Sequence, residues 1–558
     1  MTATLDRLSA GWRPWAALVL LCLALYLPGI AALPPFDRDE ARFVQATRQM
    51  LESGDLVRIR FQDEARNKKP VGIHWLQATA VAALSDPESR AMWPYRLVSA
   101  VAATLATLLT FALGAALFDR RTALLGAAAT AAALITVVEA HLAKTDAALL
   151  AAAVAVQLAL ARAYLASRDG SSAGIANAVL FWAGIGVAGL VKGPVVPMVA
   201  LLAGLALWAW DRRVPWLATL RPLWGLPLAA AIVAPWLVLV TIATDGGFVG
   251  DAIRSDLMPK LIGGQESHGA PPGYYLALLV VTLWPASLLV PHGLVAAWRG
   301  RATPALRLAL AWVVPGWLMF EIVPTKLPHY VLPLYPMLAL LAAHAAVTGV
   351  RATGRWRWAS LTWTAIWAAA GVALGALGLA AAIALAGGAL VGGALVGGAM
   401  GAAVLALAAG SAAVGAALVG LRRDGTAALA AATAGAVVVF GLLFALVLPR
   451  LDAFWLGRGA AALLAAEGVP AARAVVVGYA EPSLVFLAGT QIDFADAAGA
   501  AARLVAEPGA VALIGDRDRT RFTDAARAAG LDLAEGPAIR GFNYSRGRWT
   551  ELKLYRRR

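Results

Sequence analysis

Residues 12–43 read WRPWAALVLLCLALYLPGIAALPPFDRDEARF, an apolar run that ends at two prolines and leads directly into a cluster of acids. An apolar stretch of about 20 residues is what a helix needs to cross a bilayer. The whole chain repeats this pattern, since 60% of its 558 residues are hydrophobic and 14% are charged, against about a quarter charged in soluble domains. The composition excludes a single soluble globule and predicts a polytopic α-helical membrane protein.

Thirteen apolar runs are long enough to count as transmembrane helices. They begin near Trp12, Trp93, Thr122, Asp146, Gly174, Gly193, Pro222, Tyr274, Ala305, His329, Ser360, Ala389 and Ala427. Residues 359–421 are almost entirely Ala, Leu, Val and Gly, and we expect two helices there rather than one. The run GGALVGGALVGG (387–398) suits either a turn between them or close helix packing through small residues four apart.

Arginines mark the loops on one side of this predicted bundle. They fall in alternate loops, as cytoplasmic loops do under the positive-inside rule. With an odd number of helices, the amino terminus then lies inside, held by a signal anchor, and the carboxyl terminus lies outside. The net charge of +14 is spread over these loops, so we expect membrane lipids and no nucleic acid as partners. The single Cys22 excludes a disulfide framework, and we expect a monomer.

Two domains are predicted. A transmembrane domain covers residues 1–449, with outer loops at 34–92 and 245–272, and a soluble α/β domain on the outer side covers 450–558. The second domain contains no catalytic motif, and we expect it to cover or brace the membrane part.

The α/β character of residues 450–558 rests on local patterns. VVVGY (475–479) and VALIG (511–515) look like short buried strands, and the stretches near 496–506 and 519–529 have the period of amphipathic helices.

All lysines of the chain fall on the predicted outer side: Lys68, Lys69, Lys144, Lys192, Lys260, Lys326 and Lys553. The cytoplasmic cations are all Arg, so a positive-inside bias does not explain these lysines. Any one of them would equally suit a solvated loop end or a lipid phosphate. Because five separate outer segments place Lys near the membrane boundary, we favour a site for an anionic headgroup, to which Lys offers a compact point charge.

The acids of FDRDEARF stand where the chain leaves the first helix. Asp39 and Glu40 would serve as a general base, or would hold a divalent cation through their oxygens. For Asp37 and Arg38 the favoured interpretation is a solvated loop pair.

The remaining polar candidates have simpler alternatives. Asp146, close to Lys144, is also placed to cap the following helix, and His74 is expected to be a packed histidine. His268, in the Gly/Pro-rich QESHGAPP, is a candidate metal ligand or proton donor, so a divalent metal of unknown identity is left open. No HExxH, paired CxxC or Walker motif is present, which removes the usual support for a zinc hydrolase or a nucleotide-driven protein.

Several segments in order resemble one family. They are DEARF (39–43), GDL (54–56), KKPVGIHWLQ (68–77), LVKGP (190–194), HGAPPGYY (268–275) and KLPHYVLPLYPMLALL (326–341). Over about residues 30–350 the chain resembles the bacterial glycosyltransferases related to protein O-mannosyltransferases, which have the membrane-embedded C-type fold. Within that family it looks most like the members that transfer 4-amino-4-deoxy-L-arabinose to lipid A.

The resemblance implies an undecaprenyl-phosphate-linked sugar as donor, displaced once with inversion. It further implies a lipid A phosphate as acceptor at the periplasmic face of the bacterial inner membrane, a lipopolysaccharide modification that gives resistance to cationic peptides and polymyxin. The implied catalytic residues are Asp39 and Glu40. The predicted donor-phosphate residues are Arg42, Lys69, Lys192, Arg254, Lys326 and Tyr330, and those near the sugar or acceptor are Lys144 and Asp146. One departure is Asn67-Lys68, where related aminoarabinose transferases often have an aromatic residue and an acid.

The role of Asp39 depends on the acceptor. A hydroxyl acceptor needs a base, whereas a phosphate is already ionised near neutral pH. The alternatives are another polyprenyl-phosphate-sugar glycosyltransferase, such as one like the protein O-mannosyltransferases, and, in a different class, a transporter. Transport is disfavoured because the centres of the predicted helices are nearly free of charge.

Overall fold

The computed structural model describes residues 2–86, 88–259, 269–350, 356–386 and 393–558. Up to Arg450 the described chain is almost entirely helical. The α-helices of this part are Thr2–Ser9, Arg13–Tyr26, Asp39–Ser53, Gly72–Leu84, Trp93–Leu117, Arg120–Ala131, Leu134–His141, Asp146–Arg168, Ile175–Lys192, Val195–Asp211, Pro215–Thr219, Pro222–Ala243, Gly247–Asp251, Tyr274–Thr282, Val290–Arg299, Pro304–Ile322, Tyr335–Thr348, Trp356–Ala386, Gly393–Arg423 and Gly425–Leu442.

Within the described ranges, eight helices are long and apolar enough to cross a membrane, and two bent helix pairs bring the number to ten. The bent pairs are Arg120–Ala131 with Leu134–His141, and Tyr274–Thr282 with Ala286–Arg299. Three shorter apolar helices, Arg13–Tyr26, Val195–Asp211 and Leu332–Thr348, coincide with the other predicted starts. The predicted class, a polytopic helical membrane protein, is confirmed.

The segment 359–421 forms two helices, Trp356–Ala386 and Gly393–Arg423, as predicted. The glycines at 387–392 lie outside the described residues. Elsewhere the two helices approach closely through small side chains, because a Cβ on Gly375 would lie 2.8 Å from the Cα of Leu407.

The helices differ in how much of their surface the protein itself covers. In the helix Asp146–Arg168, 89% of the most apolar 18-residue stretch is buried inside the protein, which places this helix at the centre of the bundle. In Pro222–Ala243 the fraction is 17%, and Leu223 is 94% exposed. A helix that is apolar on all sides and so exposed is stable only when lipid covers it.

The first long loop is folded. It contains the helices Asp39–Ser53 and Gly72–Leu84, joined through the two-stranded antiparallel ribbon of β1 (Arg60–Phe61) and β2 (Glu64–Ala65). His74 is buried, and its Nδ1 lies 2.8 Å from the hydroxyl of Thr47. The interpretation of His74 as a packed histidine is confirmed.

The carboxyl-terminal part is built on a five-stranded sheet. Its strands are β3 (Ala474–Val477), β4 (Asp493–Phe494), β5 (Val511–Gly515), β6 (Leu533–Asn543) and β7 (Arg548–Arg557), in the order β4-β3-β5-β7-β6. Strands β3, β4 and β5 are parallel, and β7 is antiparallel to both of its neighbours. Its helices are Leu456–Ala466, Pro482–Ala488, Ala497–Ala506 and Arg519–Ala528. The two predicted strands and two predicted helices are present, and the β6–β7 hairpin was not predicted.

Candidate active site

A cavity of about 820 Å³ lies where the first long loop, the ends of several membrane helices and the α/β part meet. Its cationic lining residues are Arg38, Arg42, Arg66, Lys68, Lys69, Lys144 and Lys192, and its carboxylates are Asp37, Asp39, Glu40 and Asp146. Seven cations against four carboxylates favour an anionic ligand. The predicted residues Asp39, Glu40, Arg42, Lys69, Lys144, Asp146, Lys192 and Tyr330 are thus brought together.

Asp39 is the first residue of the helix Asp39–Ser53 and is exposed to the cavity. A carboxylate in the first turn of a helix is favoured by the helix dipole. Within the described part of the chain, the Asp39 side chain has no hydrogen-bond or ion-pair partner. This carboxylate is therefore available to a ligand.

Glu40 has the opposite environment. Its carboxylate accepts hydrogen bonds from Nε and Nη2 of Arg96, each at 2.9 Å, from the backbone N–H of Phe36 at 2.9 Å, and from the backbone N–H of Ala143 at 2.8 Å. Both Glu40 and Arg96 are buried. A carboxylate whose lone pairs are all used in this way is poorly placed for chemistry. The catalytic role predicted for Glu40 conflicts with this geometry, and we assign it to holding the loop.

Asp146 is the centre of a buried ion cluster. One carboxylate oxygen pairs with the ammonium of Lys192, and the other lies 3.4 Å from the ammonium of Lys144. Lys144 also lies 3.0 Å from Oε1 of Glu139. Burial alone would lower the pKa of Lys144, but Glu139 and Asp146 outweigh burial and raise it above its ordinary value. Lys144 is therefore cationic, and Asp146 is the partner of both lysines as well as a helix-terminal residue.

The same cluster is the one place among the described residues where three metal-ligating side chains converge. Ligand atoms of Glu139, Asp146 and His329 all lie within 4.8 Å of one another. However, both oxygens of Asp146 and one of Glu139 already pair with the ammonium groups of Lys144 and Lys192. A divalent ion would have to displace these buried cations, so these residues do not fit a metal.

Two predicted residues, Lys326 and Arg254, are not part of the lining. The Lys326 ammonium donates to the backbone carbonyl of Glu321 at 2.8 Å, which satisfies the end of a helix rather than a phosphate. Arg254 is exposed on a π-helical turn, Ala252–Leu257, and does not line the cavity. His268 lies outside the described residues. The donor-phosphate roles predicted for Lys326 and Arg254 are not supported by this arrangement.

Other lining residues were missed from the sequence. Arg66 lines the cavity from the loop before Lys68, where its guanidinium lies 5.3 Å from the Phe43 ring centroid. Tyr544 and Ser545 line it from the β6–β7 turn. No local signal in the sequence connects this turn with the first loop, because more than 500 residues separate Tyr544 from Asp37.

The chain is similar to several known proteins. Residues 68–239 match the family described as dolichyl-phosphate-mannose-protein mannosyltransferase. Two curated relatives, each called an undecaprenyl phosphate-alpha-4-amino-4-deoxy-L-arabinose arabinosyl transferase, come from Pseudomonas paraeruginosa and Erwinia tasmaniensis. The first is 28% identical over 346 residues, covering 61% of this chain and 60% of the relative. The second is 29% identical over 337 residues, covering 60% and 59%. The chain thus spans about 60% of the length of these relatives.

The fold is shared over nearly the whole chain with a solved structure. The crystal structure of ArnT from Cupriavidus metallidurans bound to undecaprenyl phosphate matches with a TM-score of 0.72 and 20% identity, covering 98% of each chain. Its apo form matches with a TM-score of 0.71. The predicted C-type glycosyltransferase fold, and the resemblance to the family related to protein O-mannosyltransferases, are confirmed.

Proposed function

We propose that this chain is a glycosyltransferase of the bacterial inner membrane that transfers 4-amino-4-deoxy-L-arabinose from undecaprenyl phosphate to a phosphate of lipid A at the periplasmic face. The observation that carries the proposal is one cavity in which the carboxylate of Asp39, unpaired within the described part of the chain, lies among a majority of cations. The names of the relatives support the choice of donor and sugar.

The cations suit the leaving group of this reaction. As the bond between the sugar and the donor phosphate breaks, negative charge grows on undecaprenyl phosphate. Arg42, Lys69 and Lys192 line the cavity and would stabilise that charge. Lys192 is held beside Asp146 and lies 5.3 Å above the ring of Tyr330, so its ammonium is fixed before the donor arrives.

The acceptor determines what Asp39 does. An oxygen of a lipid A phosphate forms a bond to C1 of the sugar, on the face opposite the leaving phosphate, and the electron pair of the broken C1–O bond goes to undecaprenyl phosphate. No proton has to leave an ionised phosphate acceptor. Asp39 would therefore orient the sugar, with its carboxylate accepting a charge-assisted hydrogen bond from the protonated amine.

Mass spectrometry of lipid A tests this proposal. The chain is expressed in a bacterium that lacks the modification but makes the lipid-linked donor, beside an Asp39→Ala variant. Asp524→Ala is the matched control, because Asp524 is exposed on the α/β part. We expect an added aminopentose on lipid A with the wild type and the control, and none with Asp39→Ala.

Two results would contradict the proposal. If lipid A stays unmodified in the presence of folded wild-type protein, the assignment of lipid A as the acceptor is contradicted. A hexose on Ser or Thr of a periplasmic protein would favour the alternative of an enzyme like the protein O-mannosyltransferases.

A further inference from the structure

The loop that precedes Asp39 is held by the carboxyl-terminal α/β part. The backbone N–H of Asp37 donates to the hydroxyl of Tyr544 at 2.5 Å. The Asp37 carboxylate accepts from the backbone N–H of Ser483 at 3.1 Å and from the hydroxyl of Tyr479 at 3.3 Å. The expectation of a solvated loop acid at Asp37 is therefore wrong, because the α/β part donates hydrogen bonds to this carboxylate.

The next residue, Arg38, has an unfavourable backbone conformation. Its φ of +71° and ψ of −109° are rare for a residue with a side chain. Its guanidinium lies 3.7 Å from Glu481 and donates to the carbonyl of Ser545 at 3.1 Å. Such a conformation persists only where the surroundings impose it. Here the contacts that impose this conformation come from the α/β part.

The topology of the sheet explains why these contacts converge. Tyr479, Glu481 and Ser483 follow the carboxyl end of β3, and β5 runs parallel to β3. Since β7 is antiparallel to β5, the β6–β7 turn with Tyr544 lies at the same edge of the sheet. In open α/β sheets, ligands bind at this side of the sheet, outside the carboxyl ends of the parallel strands. In this protein the residues at that edge bind the loop before Asp39.

The docking is reinforced by apolar packing. Phe486, on the helix Pro482–Ala488, is fully buried and meets the ring of Tyr95 edge to face at 6.1 Å. It belongs to one buried cluster with Val44, which lies on the helix that begins at Asp39. The α/β part therefore contacts both the loop before Asp39 and the helix after it.

We propose that the α/β part positions the Asp39 carboxylate, with Tyr544 and Glu481 as positioning residues that hold Asp37 and Arg38. This inference rests on the proposed function only in assigning transfer chemistry to Asp39. The direction of the Asp39 side chain follows from the backbone of Arg38. If the contacts are lost, Arg38 relaxes and the carboxylate moves. A displacement of about 1 Å at a reacting centre can lower a rate by about 10²-fold.

The test uses the full-length protein in lipid nanodiscs and two substitutions. Tyr544→Phe removes the hydroxyl that accepts the Asp37 N–H. Tyr555→Phe is its control, since the Tyr555 hydroxyl is buried in the same part of the chain and has no hydrogen-bond partner among the described residues. Glu481→Gln removes the ion pair with Arg38, and its control is Glu507→Gln, which removes a surface ion pair. Transfer is measured per molecule that binds undecaprenyl phosphate, so loss of folded protein does not count.

We expect Tyr544→Phe and Glu481→Gln to lower kcat by about 10- to 100-fold with the KM for the donor within about twofold. The controls should match the wild type. Equal kcat values in Tyr544→Phe and Tyr555→Phe would overturn the inference.

A second readout does not depend on activity. Hydrogen–deuterium exchange of the amides of residues 36–42 should be faster in Tyr544→Phe than in Tyr555→Phe, because the Asp37 N–H loses its acceptor. Unchanged exchange would overturn the inference even if the enzyme transfers sugar. If the wild type transfers no sugar while exchange still rises, the proposed function fails and the positioning contact stands.

Discussion

Asp39 and Glu40 are neighbours in the sequence, and their replacement by alanine should have opposite effects. Glu40→Ala removes four hydrogen bonds, two of them to Arg96, and leaves a guanidinium that is 0% exposed without a carboxylate partner. Breaking a buried ion pair from one side costs about 3–5 kcal/mol. Three backbone carbonyls still accept from Arg96, which favours the lower end of that range.

Asp39→Ala should leave stability nearly unchanged. Its carboxylate has no hydrogen-bond or ion-pair partner in the described structure, so the loss is limited to its interaction with the helix dipole, about 0.3–1 kcal/mol, and to longer-range attraction to cations such as Lys144. Activity should disappear in this variant. We therefore expect Asp39→Ala to be folded and inactive, and Glu40→Ala to be unstable, with reduced but measurable activity in the fraction that remains folded because the loop before Asp39 is less well held.

The assay compares the thermal denaturation of purified variants in detergent with their transfer rate per molecule that binds undecaprenyl phosphate. A double variant, Glu40→Leu with Arg96→Leu, is the control. It removes both charges and should be less destabilised than the sum of the single changes by about 0.5–3 kcal/mol. If Glu40→Ala kept the wild-type melting temperature but lost activity, Glu40 would be catalytic and the reasoning from its hydrogen bonds would be refuted.

The remaining predictions concern charge, metal and pH. Lys69→Ala should lower the transfer rate by about 10²- to 10³-fold, whereas Lys553→Ala, which removes a lysine remote from the cavity, should leave kcat/KM unchanged. Treatment with EDTA should not lower the rate, and loss of activity that Mg²⁺ or Mn²⁺ restores would contradict the conclusion that the Asp146 ion cluster does not hold a metal. Lys326→Met should lower the melting temperature without raising the KM for the donor, because its ammonium serves backbone carbonyls. Burial raises the pKa of Asp37 to about 6, so the stability from its bound proton is complete below about pH 4 and lost as the pH rises through about 6, a change of about 3 kcal/mol. In Asp37→Asn this contribution to the pH dependence of the melting temperature should vanish.

The membrane helices could be predicted because their signal is local. An apolar run of sufficient length has few alternatives, and the starts near Trp93, Pro222 and Ala427 each fall within two residues of a helix in the structure. The boundary within 359–421 was open because glycine suits both a turn and close packing.

Which polar residues meet in the site could be predicted only in part. Their types, and the expectation that they share one side of the membrane, follow from the sequence, and this was enough to predict that Asp39, Lys69 and Asp146 meet in one cavity. The partners of these side chains depend on the tertiary structure. Nothing local shows that Glu40 pairs with Arg96, or that the ammonium of Lys326 donates to the end of the preceding helix, Pro304–Ile322.

Partners also explain why Asp39, among the described carboxylates that line the cavity, is the one suited to the sugar. Glu40 is neutralised by Arg96, and Asp146 is neutralised by two lysines. Asp39 and Arg42 differ from them, since neither side chain has a hydrogen-bond or ion-pair partner in the described ranges. They stand three residues apart on the first turns of one helix, a spacing that puts both on one face about 5–6 Å apart between Cβ atoms. A sugar phosphate joins its ring directly to its anionic group. One helical turn can therefore present an acid to the ring and a cation to the phosphate at the same time, provided that the loop before Asp39 keeps that turn in place.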